Sequence, residues 1–246
     1  MEKKGANKLA IIETEEIGPD TSIAEFAIIR KGAKLGRGVI VHPFVVIESG
    51  VSIGDGVEVY PFSHIGKEPN GAGAVAREPV FDRHVAIGAG CCIGPNAVIY
   101  CDVRIGESTL IGDGASVREK SSIGSKSIIG RHATIGYECR IGSNTKIMDH
   151  SGIAGKSVVG DRVFIANDVQ SANDNLIGSK GWRDDITGPV IEDDVMIGEA
   201  AVLLPGIVVE RGAIIGSGAL INHNVKPDSM MLTMPARAVP RELHKE

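Results

Sequence analysis

An apolar residue recurs at every sixth position along most of this chain. Steps of six residues from Ile17, from Phe81 and from Ile191 meet Ile, Leu or Val almost without interruption. Among the resulting 30 hexads, only Phe81 departs from these three residue types at the first position. The fifth position is small or β-branched, and the second is very often Gly. An internal repeat of this kind constrains the architecture more strongly than any other property of a sequence.

A period of six excludes an amphipathic α-helix, whose apolar stripe recurs every 3.6 residues. It fits short β-strands joined by turns, with two inward side chains in each hexad. Three strands close one coil of 18 residues, so the hexads predict an all-β solenoid of about ten coils. At a strand spacing of ~4.8 Å this prism is roughly 45–50 Å long. Each coil buries its apolar residues against the coils above and below it.

The composition agrees with a thin-walled repeat structure. The chain has 246 residues, of which 32 are Gly and only 4% are aromatic, so a core of stacked aromatic rings is excluded. The net charge of −5 comes with no basic stripe, so neither nucleic acid nor a membrane is a predicted partner. The four cysteines lack paired CxxC spacing and no apolar segment is long enough for export, so a cytoplasmic protein with reduced thiols is expected.

The repeat is interrupted twice. The predicted loops cover residues 66–80 and 171–190, and the second contains the only tryptophan, Trp182. The predicted organisation is a cap at 1–16, a β-helix at 17–226 and a tail at 227–246. Because a solenoid has no cleft of its own, we expect the functional residues at these interruptions.

The pattern [Ile/Leu/Val]-Gly-x-x-[small]-x resembles the hexapeptide-repeat acyltransferases. The resemblance covers residues 17 to about 240, and it implies a left-handed parallel β-helix. It also implies a homotrimer with active sites between neighbouring chains, small-molecule substrates and an acyl-CoA donor. The left hand comes from the resemblance, since the general rule for parallel crossovers favours the right hand. We expect no helical or nucleotidyltransferase domain before the repeats, so serine acetyltransferases and tetrahydrodipicolinate acyltransferases are expected to be weaker matches.

Both loops carry further resemblances. The segment YPFSHIGKEPNGAGAVAREPV resembles the first loop of the acyltransferase that acts on UDP-N-acetylglucosamine in lipid A synthesis. The segment FIANDVQSANDN resembles the sugar O- and N-acetyltransferases. Where galactoside-type enzymes have a catalytic His, this chain has Asn173 and Asp174. That variant is similar to nucleotide-amino-sugar N-acetyltransferases, in which an Asn binds the substrate. By resemblance, Asn173, Asp174 and Trp182 are predicted to shape the acceptor pocket.

His150 is the predicted base, within the segment IMDHSGIAG. It occupies the fourth position of its hexad, at an outward turn, and His132 lies one 18-residue coil earlier. The two imidazoles are therefore predicted to stack, with His132 assigned to substrate binding. Asp149 is predicted to orient the His150 ring, in the manner of a base and its orienting group. A solvated surface pair is the alternative interpretation of the same two histidines.

The acyl acceptor is expected to be an amine. A sugar hydroxyl needs a strong positional base, because it is almost never ionised at pH 7. An amine with a pKa near ~8 is already neutral in on the order of a tenth of molecules at that pH. The absence of the loop histidine is therefore less damaging to N-acylation than to O-acylation.

The donor is predicted to be acetyl-CoA or another acyl-CoA, by resemblance of the last coils and the tail. The family pattern suggests Ser217, Asn222 and Arg237 as contacts of the coenzyme. The closing segment VKPDSMMLTMPARAV matches the family at Pro235, Ala236 and Arg237, but Thr233 stands where Gly is usual. An arginine suits this role because its planar guanidinium fits phosphate oxygens.

The leading prediction is N-acetylation of a nucleotide-linked amino sugar in polysaccharide biosynthesis. One alternative is O-acetylation of a sugar or another small molecule. Another is a hexapeptide prism that only scaffolds partners. A metal-dependent hydratase would need a three-histidine zinc site, and the sequence lacks the H-x4-H pair that such sites use, so no metal is expected.

Overall fold

A computed structural model describes residues 7–71, 78–181 and 183–233. Within them the chain forms short strands, numbered β1 to β31 along the chain, in three parallel sheets of 11, 11 and 9 strands that we name A, B and C. Sheet A contains β2 (Ser22–Ile23), β5 (Ile40–Val41), β8 (Glu58–Val59), β11 (Cys92–Ile93), β14 (Leu110–Ile111), β17 (Ile128–Ile129), β20 (Lys146–Ile147), β23 (Phe164–Ile165), β26 (Met196–Ile197), β29 (Ile214–Ile215) and β31 (Met230–Met231).

Sheets B and C complete the prism. Sheet B contains β1 (Ile11–Ile12), β3 (Ile28–Ile29), β6 (Val46–Ile47), β9 (His64–Lys67), β12 (Val98–Tyr100), β15 (Ser116–Val117), β18 (Thr134–Ile135), β21 (Gly152–Ile153), β24 (Gln170–Ser171), β27 (Val202–Leu203) and β30 (Leu220–Ile221). Sheet C contains β4 (Lys34–Leu35), β7 (Val51–Ile53), β10 (Val85–Ile87), β13 (Val103–Ile105), β16 (Ser122–Ile123), β19 (Arg140–Ile141), β22 (Val158–Val159), β25 (Val190–Ile191) and β28 (Val208–Val209).

The predicted solenoid is confirmed. Ile129 pairs with Ile147 and Ile147 pairs with Ile165, so each inward residue lies one 18-residue coil from the next. All three of these side chains are fully buried, and similar columns line the other two sheets. The fold is all-β and winds as the left-handed parallel β-helix that the resemblance implied.

The turns between sheets form three edges along the prism. Edge AB consists of the turns that lead from a strand of sheet A to the next strand of sheet B, and edges BC and CA are defined in the same way. An 18-residue step along the chain stays on one edge. The edge therefore decides which side chains of different coils become neighbours.

Left-handed backbone conformations fall on the fourth position of most hexads. His132 has a φ of 54° and His150 has a φ of 61°, and Gly38 shares the conformation with a φ of 63°. Glycine is needed at the second position for a different reason, the close approach of the next coil. A Cβ on Gly142 would lie 2.4 Å from the carbonyl carbon of Gly160 in the next coil, so a side chain there would force the coils apart.

The interruptions begin and end at other residues than the hexads predict. Phe81 is not an inward strand residue but precedes β10, half-exposed, in the first loop. Ser171 continues the repeat in β24, because a hydroxyl takes the place of the usual apolar side chain. The first loop therefore lies between β9 and β10, and the second between β24 and β25. Two strands, β1 and β31, lie outside the range 17–226.

Candidate functional site

Both loops lie on the same edge of the prism. The first leaves β9 of sheet B and returns to β10 of sheet C, and the second leaves β24 of sheet B and returns to β25 of sheet C. Both therefore protrude from edge BC. Strands β9 and β24 are five places apart in sheet B, which corresponds to about 24 Å along the prism axis. The stretch of edge BC between the loops is the candidate functional site.

The first loop starts with a bulge at Gly66. The pairing of β12 with β9 shifts by one residue, so that Tyr100 faces Lys67 rather than Gly66. Gly66 has a φ of 87°, and a Cβ there would lie 2.7 Å from a methyl carbon of Val51. Glycine is therefore required at this position. The bulge moves the Lys67 ammonium against the face of the Tyr100 ring, 4.4 Å from its centroid.

A ladder of cationic and aromatic side chains runs from the first loop toward the second. Lys67 Nζ donates to the Tyr100 hydroxyl at 3.2 Å. The Arg118 guanidinium lies between two rings, with Cζ 5.7 Å from the centroid of Tyr100 and 5.8 Å from that of Tyr137. The Tyr137 hydroxyl accepts a hydrogen bond of 3.2 Å from Nδ2 of Asn173. These five side chains connect the two loops.

A buried carboxylate holds Arg118 in place. The Glu119 side chain is 0% exposed, and its two oxygens accept hydrogen bonds of 3.1 and 3.0 Å from Nε and Nη2 of Arg118. A buried carboxylate is costly to desolvate unless it is paired in this way. The remaining guanidinium hydrogens of Arg118 make no hydrogen bond within the described part of the chain. This cluster was not predicted from the sequence, although 18-residue steps align Tyr100 with Arg118.

The second loop is anchored by Asn173. Its Nδ2 donates to the carbonyl of Gly155 at 3.2 Å as well as to Tyr137. Gly155 lets the Tyr137 ring approach, because a Cβ there would lie 2.6 Å from two ring carbons. Lys156 also ties the loop to the edge, through a 2.7 Å hydrogen bond to the carbonyl of Asp184. The amide of Asn173 is thereby fixed between the edge and a cavity of about 130 Å³.

Asp174 shapes the loop that carries this cavity. Its oxygens accept hydrogen bonds of 2.8 Å from the backbone N–H of Leu176 and 2.7 Å from that of Gly178. These bonds, that to Gly178 first, lower the pKa of the Asp174 carboxyl below its ordinary value. The cavity is also lined by Arg183, whose guanidinium pairs with Asp185. The two carboxylates partly neutralise the arginine, so the cavity is polar rather than strongly charged.

A larger cavity of about 370 Å³ lies beside the first loop. Lys67 and Arg83 line it together with His64, whose Nε2 lies 3.0 Å from Oε1 of Glu48. This pairing of a histidine with a carboxylate was not predicted, because the two residues are 16 apart in the sequence and meet only when coils stack. His64 lies about 24 Å along the axis from the start of the second loop.

His132 and His150 stack as predicted. Their ring centroids are 5.3 Å apart and the ring planes are inclined by 15°. Both side chains are exposed. They lie on edge AB, however, and not on edge BC with the loops. His150 precedes β21 and Gly155 follows it, so within one chain the width of sheet B separates His150 from the Asn173 amide, at the same height along the axis.

The Asp149 carboxylate contacts Arg131 in the single chain, and its predicted role in orienting the His150 ring stays a prediction. Asp149 Oδ1 accepts a 2.7 Å hydrogen bond from the backbone N–H of Arg131, and Oδ2 lies 3.7 Å from the Arg131 guanidinium. The carboxylate thus faces the preceding coil, in the same way that Asp161 accepts from the N–H of Ser143. Neither ring nitrogen of His150 has a hydrogen bond within the described residues.

The predicted coenzyme contacts are on two different edges. Ser217 lies on edge AB, where its carbonyl accepts a 3.1 Å bond from the Thr233 hydroxyl. Asn222 lies on edge BC, at the other end of β30, with its Oδ1 2.8 Å from Nδ1 of His223. Both side chains are exposed, and the structure does not bring them together. Trp182 and Arg237 lie outside the described residues.

Two absences concern the described residues only. None of their His, Cys, Asp and Glu side chains form a group of three or more placed to hold a metal ion. The same residues contain no helix with the length and hydrophobicity to cross a membrane.

Comparison with known proteins agrees with a solenoid of hexapeptide repeats. A family model described as bacterial transferase hexapeptide (six repeats) matches residues 32–67 and 188–223. A second, described as the GMPPB C-terminal domain, matches residues 75–181. Arabidopsis UDP-N-acetylglucosamine acyltransferase superposes with a TM-score of 0.58 at 22% identity, over 85% of this chain and 70% of that chain. At this identity the likeness shows the fold.

The chain is thus similar to the hexapeptide-repeat transferases over residues 32–67 and 188–223. Serine acetyltransferase from Bacillus licheniformis is 36% identical over 75 residues, which cover 30% of this chain and 35% of that protein. A 2,3,4,5-tetrahydropyridine-2,6-dicarboxylate N-acetyltransferase from Staphylococcus aureus is 40% identical over 50 residues, or 20% of this chain and 21% of that protein. The chain thus spans about a third or less of these relatives. Both classes, which the sequence analysis set further away, share sequence with it.

Proposed function

We propose that this protein is an acyl-CoA-dependent acyltransferase that N-acetylates a nucleotide-linked amino sugar in polysaccharide biosynthesis. The observation that carries the proposal is the Asn173 amide, fixed by Gly155 and Tyr137 on the edge that both loops share. With Nδ2 donating to both partners, Oδ1 is left to accept from a substrate N–H. The two relatives described above are both named acetyltransferases, which supports an acetyl group as the group transferred.

The reaction replaces a thioester by an amide. The neutral amine attacks the thioester carbonyl, a C–N bond forms, the C–S bond breaks, and coenzyme A leaves as the thiol. Backbone N–H groups at the turns would stabilise the oxyanion by ~3 kcal/mol, as in other acyl transfers. The proton lost by the amine passes to His150 and then to the thiolate. His132 binds the acceptor beside it.

His150 acts from a neighbouring chain of a homotrimer. A three-fold axis parallel to the prism preserves height along it, so a neighbour's edge AB would present His150 level with the Asn173 amide of edge BC. The shared height of His150 and Gly155, at the two ends of β21, supports this arrangement. The site would then be incomplete in a single chain.

Thiol release from acetyl-CoA tests the reaction. UDP- and dTDP-linked amino sugars form the acceptor panel, and the matching non-amino sugars are the controls. We expect release only with an amino sugar. Release with hydroxyl acceptors alone would identify an O-acetyltransferase, and failure to bind acetyl-CoA at all would favour the scaffold interpretation.

His150→Ala is expected to lower kcat about 100-fold, the usual contribution of a positioned base. Asn144→Ala is the matched control, because Asn144 is exposed and has the same left-handed backbone conformation on edge CA, with a φ of 56°. If the His150 variant has the same kcat as the wild type from pH 6 to pH 9, His150 is a solvated surface residue and not the base.

A further inference from the structure

We propose that Lys67 and Arg118 form a binding subsite for the diphosphate of a nucleotide on edge BC. The subsite deepens the proposed function, and it rests on that function for the identity of the nucleotide as a substrate. Neither residue belongs to the acceptor or coenzyme contacts derived from the resemblance. Three features support the subsite: the position of the two cations, the way they are held, and the pairing of the charges around them.

The two cations flank a single ring. Lys67 Nζ lies 4.4 Å and Arg118 Cζ lies 5.7 Å from the centroid of Tyr100. Lys67 comes from the coil before Tyr100 and Arg118 from the coil after it, so the cations approach the ring from its two sides. Their separation cannot exceed the two centroid distances together, a gap that the oxygens of a diphosphate can bridge. Both side chains are only partly exposed.

The site is held in place before any ligand arrives. The fully buried Glu119 carboxylate takes up Nε and Nη2 of Arg118, which leaves the opposite side of the guanidinium unbonded. The rings of Tyr100 and Tyr137 restrict the guanidinium from below and above. A guanidinium fixed in this way loses little freedom when it binds, and its planar fork suits phosphate oxygens. Lys67 is held by its hydrogen bond to the Tyr100 hydroxyl and by contact with the ring.

The carboxylates near the two cations already have partners of their own. Glu119 pairs with Arg118, Glu68 pairs with Arg83 at 2.7 Å, and Glu48 lies 3.0 Å from Nε2 of His64. Lys67 has the Tyr100 hydroxyl and ring as partners and no carboxylate within the described part of the chain. A half-buried ammonium without a counter-ion is unusual in a chain with a net charge of −5. A diphosphate would supply the missing negative charge through charge-assisted hydrogen bonds.

The position along the edge favours the acceptor as the source of the diphosphate. Arg118 follows β15, and the Asn173 amide bonds to groups that follow β18 and β21. These groups lie one and two strand spacings away, about 5–10 Å along the axis. One sugar ring spans such a distance, so a diphosphate at Arg118 would leave the sugar amine beside Asn173. Coenzyme A also contains a diphosphate, and the experiment separates the two sources.

Binding is measured by calorimetry with UDP, with coenzyme A and with inorganic pyrophosphate, in the absence of turnover. Arg118→Gln and Lys67→Gln are each expected to weaken UDP binding tenfold or more, from the loss of charge-assisted hydrogen bonds. Arg118→Lys keeps the charge and the aliphatic stem between the rings but loses the fork, and we expect an intermediate effect. Arg37→Gln is the matched control, because Arg37 is exposed on edge CA, between β4 and β5.

Each outcome decides the question. Weakened UDP binding with unchanged coenzyme A binding supports the subsite and assigns it to the acceptor. Weakened coenzyme A binding alone supports a diphosphate subsite but assigns it to the donor. Unchanged affinity for all three ligands in folded Arg118→Lys and Lys67→Gln variants would overturn the proposal. Because these measurements need no acyl transfer, a subsite that binds UDP can be confirmed even where the thiol-release panel is silent.

Discussion

Single hydroxyl groups in the wall of the prism connect successive coils. The Thr145 hydroxyl donates to the carbonyl of Gly160 at 2.7 Å and accepts from the N–H of Val163 at 3.1 Å. The hydroxyls of Ser127 and Ser151 do the same: each donates to a carbonyl and accepts from an N–H of the following coil. The side chains are buried, and among the described residues every buried side-chain N or O atom has a partner. A small polar residue at the fifth position is therefore a structural requirement at these coils.

Thr145→Val tests this at the residue scale. Valine has the same shape but leaves the Gly160 carbonyl and the Val163 N–H without their hydroxyl partner, so we expect a loss of about 2 kcal/mol in the free energy of unfolding. Thr145→Ser keeps the hydroxyl and removes one methyl group, which costs roughly 1 kcal/mol. Urea unfolding followed by circular dichroism compares them. A valine variant as stable as the wild type would show that the hydroxyl is dispensable.

The coil is the next scale, and its spacing depends on glycine at the second position. A Cβ on Gly142 would lie 2.4 Å from the carbonyl carbon and oxygen of Gly160, both of which belong to backbone held by the next coil. Gly38 has a left-handed conformation but nothing within 4 Å of the added carbon. Gly142 is thus required for the close approach of two coils, and Gly38 for its backbone conformation.

Gly142→Ala is expected to cost about 3 kcal/mol, because the strands on either side must separate. Gly38→Ala, the matched control, is expected to cost about 1 kcal/mol, the price of a left-handed alanine. Urea midpoints under identical conditions give the comparison. Equal losses for the two variants would contradict the close-approach argument.

The whole molecule decides which residues can meet, because the three edges stay separate over its length. His150 and the Asn173 amide share a height but lie on opposite borders of sheet B. In the proposed trimer each site takes His150 from one chain and Asn173 from its neighbour. Activity then depends on assembly and not on one chain alone.

Subunit mixing tests this arrangement. His150→Ala and Asn173→Ala homotrimers are each expected to be nearly inactive. Mixed trimers formed by co-expression are expected to regain about a quarter of the wild-type activity, since random mixing pairs an intact His150 with an intact Asn173 at that frequency. If mixing restores nothing while trimers form, both residues act within one chain or His150 is not the base.

The buried wall also contains a thiol whose ionisation opposes folding. Burial raises the pKa of Cys139 from an ordinary value of about 9 to about 11, and its side chain is 0% exposed. The folded chain keeps this proton where the unfolded chain has lost it. Its contribution to stability is therefore complete below pH 9 and is lost as the pH rises through 11.

Between pH 8 and pH 11 the wild type is expected to lose roughly 2 kcal/mol more stability than Cys139→Ser, which has no thiol to ionise. Urea unfolding at both pH values gives the difference. Parallel pH curves for the two proteins would show that Cys139 does not titrate differently in the folded and unfolded states.

The coil could be predicted from the sequence because it depends on inward apolar residues that recur at a fixed period. Every inward Ile or Val has the same neighbours one coil away, so 30 weak signals agree on one period. The stacking of His132 on His150 followed from the same count. Phe81 was predicted to be an inward strand residue because it is apolar, but it lies in the loop. Ser171 was predicted to lie in the loop because it is polar, but its hydroxyl is hydrogen-bonded and it continues the strand pattern.

The sequence by itself determined the all-β solenoid, its inward residues and the two interruptions, since these depend only on residue type at a fixed period. Only the tertiary structure decided that both loops share edge BC, that Asp149 serves Arg131 and that Glu119 is buried beneath Arg118. The reason is physical. Side-chain partners in a solenoid come from the coils above and below, and an inserted loop or a one-residue bulge changes those partners without leaving a mark on the period.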